Sequence, residues 1–328
     1  MEVLHGIKLL KVPIPNNPLE HVNTYLIDGD GRYALVDPGW PGQEALNALK
    51  RQLAEIGLDI EAIAMVVVTH GHPDHYGLAR EIRQLSGAEV VMHQGDVPQR
   101  QLTLGLFRDQ MRSWLMANGM PKERLDLLHW PSSSPGNIAW WSSSGRTVKD
   151  GETLYIGCQR FEVIWTPGHS PGHICLYHRD SKTLLSGDHL LPDITPNVSL
   201  NPHNSFMGNP LGIYLESLHK VAQLDVDLVL PGHGSPFRHF RERLAELHVH
   251  HEQRLDEVLV NLGRGEKTAY EIALKMAWVG LSGIVLGEDL PLSQHSAALG
   301  ETLAHLELLK REGKVRHTQR DGISLFSI

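Results

Sequence analysis

The most constraining stretch of the chain is Val66-Val67-Val68-Thr69-His70-Gly71-His72-Pro73-Asp74-His75-Tyr76-Gly77. Its β-branched run favours a buried strand. The run ends at Thr69, and His70, His72, Asp74 and His75 follow at once. His70 and His72 are two apart, so an extended or looped backbone can turn both toward one ion. Asp74 and His75 are adjacent, in what reads as the first turn of the next helix, and can face a second ion. Imidazole and carboxylate suit zinc and related first-row divalent ions. One His beside a strand end is ordinary loop chemistry. Four such donors packed directly after a buried strand are not.

A length of 328 residues suggests one large domain plus a smaller one. A formal net charge of -8 gives no electrostatic case for a general nucleic-acid or membrane-surface binder. The 21 histidines raise the prospect of metal chemistry, although some belong to solvated surface. Cys158 and Cys175 lack the short spacing of a zinc pair, and both fall in expected core strands as buried thiols. No disulfide framework is needed at this size, which fits a reducing cytoplasm. The first residues lack the pattern of a signal peptide, and no apolar run has the length of a membrane span.

Residues 22–27 and 33–36 flank a turn sequence and predict a hairpin. The second strand ends in Asp37-Pro38-Gly39, which is turn chemistry or a carboxylate that orients a ligand His. Residues 43–56 carry apolar positions at helical spacing. Strand 63–69 delivers the opening motif, then a helix over 76–85 and a strand over 89–92 follow, an α/β arrangement. Residues 94–146 interrupt it with a helix over 99–117, Ser-rich turns and Trp130, Trp140 and Trp141. This insertion packs on a core or forms a lid or pocket wall, and its length and position favour the lid.

Strands over 153–156, 161–165, 174–178 and 183–185 follow. Three more signals stand at strand ends in Gly-rich turns: Thr166-Pro167-Gly168-His169-Ser170-Pro171-Gly172-His173, Ser186-Gly187-Asp188-His189 and Pro231-Gly232-His233-Gly234. With the opening motif they bring the donors to seven, enough for two ions. Residues 240–262 predict a long charged helix, 268–278 and 293–312 two more, and 314–317 with 323–326 a terminal hairpin. Helices followed by a β-hairpin suggest a small winged-helix unit.

In order and spacing, Thr69 to His75, Thr166-Pro167-Gly168-His169, Gly187-Asp188 and Pro231-Gly232-His233-Gly234 resemble the metallo-β-lactamase superfamily of hydrolases. Asp37 matches that family's early strand-end Asp, and the resemblance spans roughly residues 5–240. It implies an α/β fold, an αββα four-layer sandwich of two mixed sheets with helices outside, over residues 1–238. Residues 239–328 look like the winged-helix tail of the branch that includes β-lactamase-like endoribonucleases.

The resemblance also implies roles. His70, His72 and His169 would hold one ion, Asp74, His75 and His233 a second, and Asp188 would bridge them. Two ions about 3.5–4 Å apart can share a water whose pKa falls toward neutrality, giving a bridging hydroxide. Asp74 would also hydrogen-bond the nucleophile as a catalytic group, and Asp37 would act from behind the ligands. His173 would be structural or support a ligand; the resemblance gives His189 no role, and it reads as a rim residue. A bridging Asp188, where common β-lactamases carry Cys, looks like the glyoxalase II and ribonuclease branches. The basic cluster that glyoxalase II uses for glutathione is not found.

Two functions compete. One is hydrolysis of a small thioester, ester or lactone, with 94–146 and 192–208 lining an apolar pocket. The other is an endoribonuclease that grips single-stranded RNA with the tail. From Arg241 onward, Lys and Arg are slightly outnumbered by Asp and Glu, which is no basic footprint and favours the small molecule. The expected cofactors are two divalent ions, zinc first, with iron and manganese accepting the same donors. Iron would point to a mononuclear persulfide-type oxygenase. A homodimer is compatible with the sequence.

Overall fold

The computed structural model describes residues 1–97, 104–128, 145–202, 204, 207–280 and 283–328. The chain divides into two compact units. The first is Met1–Gln101, Pro135–Pro196 and Ser217–Leu244, and the second is Leu102–Ser134, Asn197–Glu216 and Ala245–Ile328.

The first unit holds two sheets. One is β1 (Glu2–Leu4), β2 (Ile7–Pro13), β3 (His21–Asp28), β4 (Tyr33–Val36), β5 (Ile63–Val67), β6 (Glu89–His93) and β7 (Gly145–Val148), side by side in that order. Pairing is antiparallel through β4 and parallel beyond it. The other sheet runs β12 (Leu228–Pro231), β11 (Thr183–Gly187), β10 (Ile174–His178), β9 (Gln159–Trp165) and β8 (Thr153–Ile156). Only β11–β12 is parallel in it.

Side-chain alternation sorts each strand of the first sheet onto two buried faces. Leu9, Tyr25, Ile27, Val36, Val67 and Val91 share one core with Leu154, Phe161, Val163, Leu176, Leu185 and Leu230 of the second sheet. Their sequence neighbours Leu10, Leu26, Leu35, Val66 and Val90 face the other way. There they meet Ala45, Leu49 and Leu53 of α1 (Gln43–Ala54) and Ala79 and Ile82 of α3 (Ala79–Ser86). Burial on both faces explains why β5 is a continuous apolar run rather than an alternating one. Each such side chain contributes about 1.5–3 kcal/mol.

This topology positions the loops. β4 and β5 are parallel neighbours, so Asp37 and the His70 loop leave the same edge of their sheet. β11 and β12 are parallel neighbours, so Asp188 and His233 leave the same edge of theirs. β9 runs alongside them in the same direction, because two antiparallel steps separate it from β11. The Ile174 amide donates to the Thr69 carbonyl (2.9 Å), and the Asn23 amide donates to the Gly232 carbonyl (2.8 Å), so the two sheets are tied where the loops emerge.

The second unit is largely helical: α4 (Leu104–Ala117), α5 (Lys122–Asp126), α8 (Ala269–Lys275), α9 (His295–Arg311) and most of α7 (Phe240–Leu262). Leu115, Met120 and Leu125 are packed into one core with Val258, Leu262, Ile272, Leu299, Leu306 and Leu309. These residues of the 94–146 segment therefore belong to that core. Trp130, Ser132 to Gly136, Trp140 and Trp141 lie outside the described residues. The hairpin β15 (Arg316–Arg320) and β16 (Ile323–Ser327) follows α9. Lys267 exchanges two backbone hydrogen bonds with Phe326 of β16 (2.9 and 2.8 Å).

Four local expectations need correction. The helix over 268–278 stops at Lys275, because Met276 is extended and Ala277–Gly280 is strand β13, paired with β14 (Gly283–Leu286). Val279, Ile284 and Val285 favour that pairing. The helix over 76–85 is broken into α2 (Pro73–Tyr76) and α3, where a Cβ at Gly77 would collide with Pro41. Cys158 is exposed in the turn between β8 and β9, while Cys175 is buried in β10 as expected. His189 is not at a rim but fully buried. No helix among the described residues is long and apolar enough to cross a membrane.

Candidate metal centre

The loops at the strand ends bring all seven predicted donors together. Three overlapping triads form, His70–His72–His169, His70–His75–Asp188 and Asp74–His75–His233, each with its donor atoms within 4.8 Å of one another. His70, His75 and His233 are buried, and His72 is the exposed member.

The first triad is a triangle of nitrogens. His70 Nε2 lies 3.0 Å from His72 Nδ1 and 3.2 Å from His169 Nε2, and the third edge is 2.9 Å. Four ligand atoms arranged tetrahedrally about an ion at about 2.0–2.1 Å stand about 3.3–3.4 Å apart. The triangle is close to that size. Its chemistry follows from the partners behind it. The Thr69 hydroxyl has one proton and gives it to Asp37 Oδ2 (2.8 Å), because a carboxylate can only accept. Thr69 Oγ1 must then accept from His70 Nδ1 (3.0 Å), which leaves the His70 Nε2 lone pair bare and facing the triangle.

The second triad obeys the same logic. His75 Nδ1 donates to Asp37 Oδ2 (2.8 Å), and His233 Nδ1 donates to the His21 carbonyl (3.1 Å). The two Nε2 atoms face each other at 3.3 Å, and in the neutral rings each would present a lone pair. Asp74 Oδ2 completes the group, 3.3 Å from His233 Nε2 and 3.7 Å from His75 Nε2. Two lone pairs and a carboxylate oxygen in mutual contact repel unless a proton or a metal cation lies among them, and the neighbouring carboxylates favour either.

Asp188 stands between the triads. Its Oδ2 is 3.5 Å from His75 Nε2 and 3.8 Å from His169 Nε2, and its Oδ1 is 3.6 Å from His233 Nε2. Oδ1 is buried and has no hydrogen-bond partner among the described residues. Gly232 makes the room, since a Cβ there would lie 2.5 Å from that oxygen. An orphaned buried carboxylate oxygen beside bare imidazole nitrogens fits divalent cations as the missing partner.

The titration tendencies express the same demand. Burial, then the neighbouring imidazoles, hold His70 well below its usual range. Burial also pushes His75 down, but the Asp188, Asp74 and Asp37 carboxylates outweigh it and leave His75 well above its usual range. Burial would raise Asp74, yet His75 and His233 hold its carboxyl at about 2. One side of the centre is short of protons to share and the other has a surplus of negative charge. Cations answer both.

Supporting residues lock this arrangement. Asp37 sits at a positive φ of 55°, tolerated by Asp, and commits both carboxylate oxygens to Thr69 and His75. It acts through its neighbours. His173 Nε2 accepts from the Asp188 amide (3.1 Å), outside the triads, in keeping with a structural part. Asn23 went unnoticed in the sequence. Its buried Nδ2 donates to the carbonyls of Pro231 (2.9 Å) and Gly234 (2.7 Å), on either side of His233. Its only signal was a polar residue inside an apolar strand.

Comparison with known proteins agrees. The profile of the family described as "Metallo-beta-lactamase superfamily" matches residues 17–233. The crystal structure of a metallo-beta-lactamase family protein from Thermus thermophilus is similar at a TM-score of 0.79 and 33% identity, covering 100% of both chains. The "Probable metallo-hydrolase YqjP" of Bacillus subtilis (strain 168) is 28% identical over 313 residues, 92% of each chain. The "Hydroxyacylglutathione hydrolase GloC" of Haemophilus influenzae is 23% identical over 161 residues, 44% of this chain and 71% of that one.

Proposed function

The chain belongs to the metallo-beta-lactamase superfamily and is a metal-dependent hydrolase, and on that premise we propose that it is a dinuclear enzyme acting on a small thioester, ester or lactone. One observation carries the reading: two donor triads with Asp188 within reach of both. His70, His72 and His169 would hold one divalent ion, Asp74, His75 and His233 the other, with Asp188 within reach of both sets. Zinc suits these donors best, and iron or manganese would be accepted.

Bound divalent ions supply Lewis acidity and lower the pKa of water. The chain's own residues do the rest. Asp74 is partly exposed and its carboxyl, held at about 2, stays ionised at neutral pH. Its carboxylate would accept a hydrogen bond from the attacking water, whose oxygen bonds to the acyl carbon while the carbon–sulfur or carbon–oxygen bond breaks and the water's proton leaves with the thiol or alcohol. Asp37, through Thr69 and His75, keeps the imidazole lone pairs aimed inward.

An acyl substrate is favoured over RNA by the charges of the C-terminal elements. Their order, α7, a paired strand residue Lys267, α8, α9 and the β15–β16 hairpin, supports a winged-helix reading. Several of its cations are paired internally, while Arg264, Lys275 and Arg316 have no ion pair among the described residues. Arg320 pairs with Glu266 (2.7 Å), Lys314 with Glu312 (2.8 Å) and Arg311 with Glu307 (3.0 Å). A phosphate-binding face needs free cations. The named substrate class of the Haemophilus relative, an acyl thioester, is of the proposed kind.

The test is turnover of a panel of acyl thioesters, lactones and single-stranded RNA by metal-loaded protein. Thioester or lactone turnover is expected. RNA cleavage that falls steeply with salt, with no ester turnover, would replace this reading with the endoribonuclease.

A further inference from the structure

Gly71 lies between His70 and His72, and Ser170 follows His169, so the first triad is built from two loops far apart in sequence. One side chain joins them. Asp96 Oδ2 accepts from the Gly71 amide (2.8 Å) and from Ser170 Oγ (2.6 Å), and its Oδ1 accepts from the Gly172 amide (2.7 Å). The turn that carries Asp96 is pressed onto the second loop. A Cβ at Gly172 would lie 2.3 Å from the Asp96 amide nitrogen, and one at Gly95 would lie 2.8 Å from the Pro171 carbonyl oxygen. Trp165 Nε1 donates to that same carbonyl (3.0 Å), and its ring stacks on His93 of β6 with centroids 5.2 Å apart. Neither oxygen of Asp96 is within the donor triads.

We propose that Asp96 is a positioning residue that latches the His70–His72 loop to the His169 loop and so sets the size of the first ion's triangle. It touches no reacting atom. A charged acceptor is the right group for the task, because bonds from amides and hydroxyls to a carboxylate are the strong, short ones. An amide in its place would turn an NH2 toward one of the three donors. The second triad has no bond to Asp96; its His233 loop is held by Asn23 and His21 instead. Loss of Asp96 therefore acts chiefly on the ion of His70, His72 and His169, and less on the other.

The inference rests on the dinuclear reading, and one experiment separates the two. Metal content per chain is measured by elemental analysis after dialysis against graded chelator, for wild type, Asp96→Asn and Ser170→Ala. The thermal unfolding midpoint of each metal-free protein is measured alongside. Wild type holding two ions and Asp96→Asn holding one, with the first ion's affinity down about 10–100-fold, is the expected result. Ser170→Ala, which removes one of three bonds and keeps the fold if Asp96→Asn does not, should weaken the same ion about 2- to 10-fold. Two ions retained at wild-type affinity in both variants would overturn the latch. So would equal weakening of both ions with a fall in the metal-free midpoint, since that is general structural damage. Fewer than two ions in wild type would instead overturn the dinuclear reading itself.

Discussion

Both units bury histidines, and the two sets behave in opposite ways. In the second unit two described histidine pairs match a proton to a lone pair, although the buried His251 Nε2 has no hydrogen-bond partner among the described residues. His305 Nδ1 donates to the Glu301 carbonyl (2.8 Å), so its Nε2 accepts from His251 Nδ1 (3.2 Å). His295 Nε2 donates to the Leu290 carbonyl (3.1 Å), so its Nδ1 accepts from the Tyr270 hydroxyl (2.8 Å). In the first unit, outward hydrogen bonds use up the protons of His70, His75 and His233 and leave lone pairs converging on lone pairs. A high His count is common to both; the direction of the lone pairs separates a core from a metal centre.

The sharpest way to break this contrast is to remove the residue between the triads. Asp188→Ala should lose bound metal and activity together, by more than the about 10–100-fold that a supporting partner costs. Unchanged metal content by elemental analysis would remove Asp188 from the centre. The converse variant lies in the second unit. His305→Ala should leave metal content and kcat/KM at wild-type values while costing about 1–3 kcal/mol in urea unfolding, since it strands His251 Nδ1 and opens a gap.

Acid should test the second unit's buried pair directly. Burial, followed by the field of His305, His250, His248 and Arg254, holds His251 at about 2, and burial holds His305 at about 4, against an ordinary 6.5. Between pH 6.5 and 4 the unfolded chain binds protons that the folded unit refuses. Stability is therefore full above 6.5 and falls as pH drops, by up to about 1.4 kcal/mol per pH unit per group. Urea unfolding at pH 7 and pH 5 checks this: His305→Gln should show a shallower loss than wild type. An identical loss in the two proteins would mean that His305 is not held neutral. The smallest effect is expected at the hairpin. Arg320→Ala removes an exposed ion pair with Glu266 and should cost no more than about 0.2–1 kcal/mol, with ester turnover unchanged.

The sequence showed the centre more plainly than the fold around it, for a physical reason. The candidate ligands sit just past strand ends in turns rich in Gly or Pro, and His70 to His75 lie within six residues, so pattern and spacing survive in one dimension. The core strands were legible because two-faced burial leaves apolar runs such as Val66 to Val68. Residues whose role is set by a distant partner were not. His189 next to Asp188 read as a rim residue, yet it is fully buried. Met276 to Trp278 continued an apolar helical pattern, and only pairing with Gly283–Leu286 makes Ala277–Gly280 a strand. Asp96 stands just past a strand end beside Gly95, the same signature as Asp37-Pro38-Gly39, but its partners lie in loops that the sequence does not place next to it.

The most direct test is the anomalous scattering of a crystal of the metal-loaded protein. Two metal peaks per chain are predicted, one at His70, His72 and His169 and one at Asp74, His75 and His233, with Asp188 reaching both. A single peak, or two peaks with Asp188 bound to neither or to only one, would contradict the account.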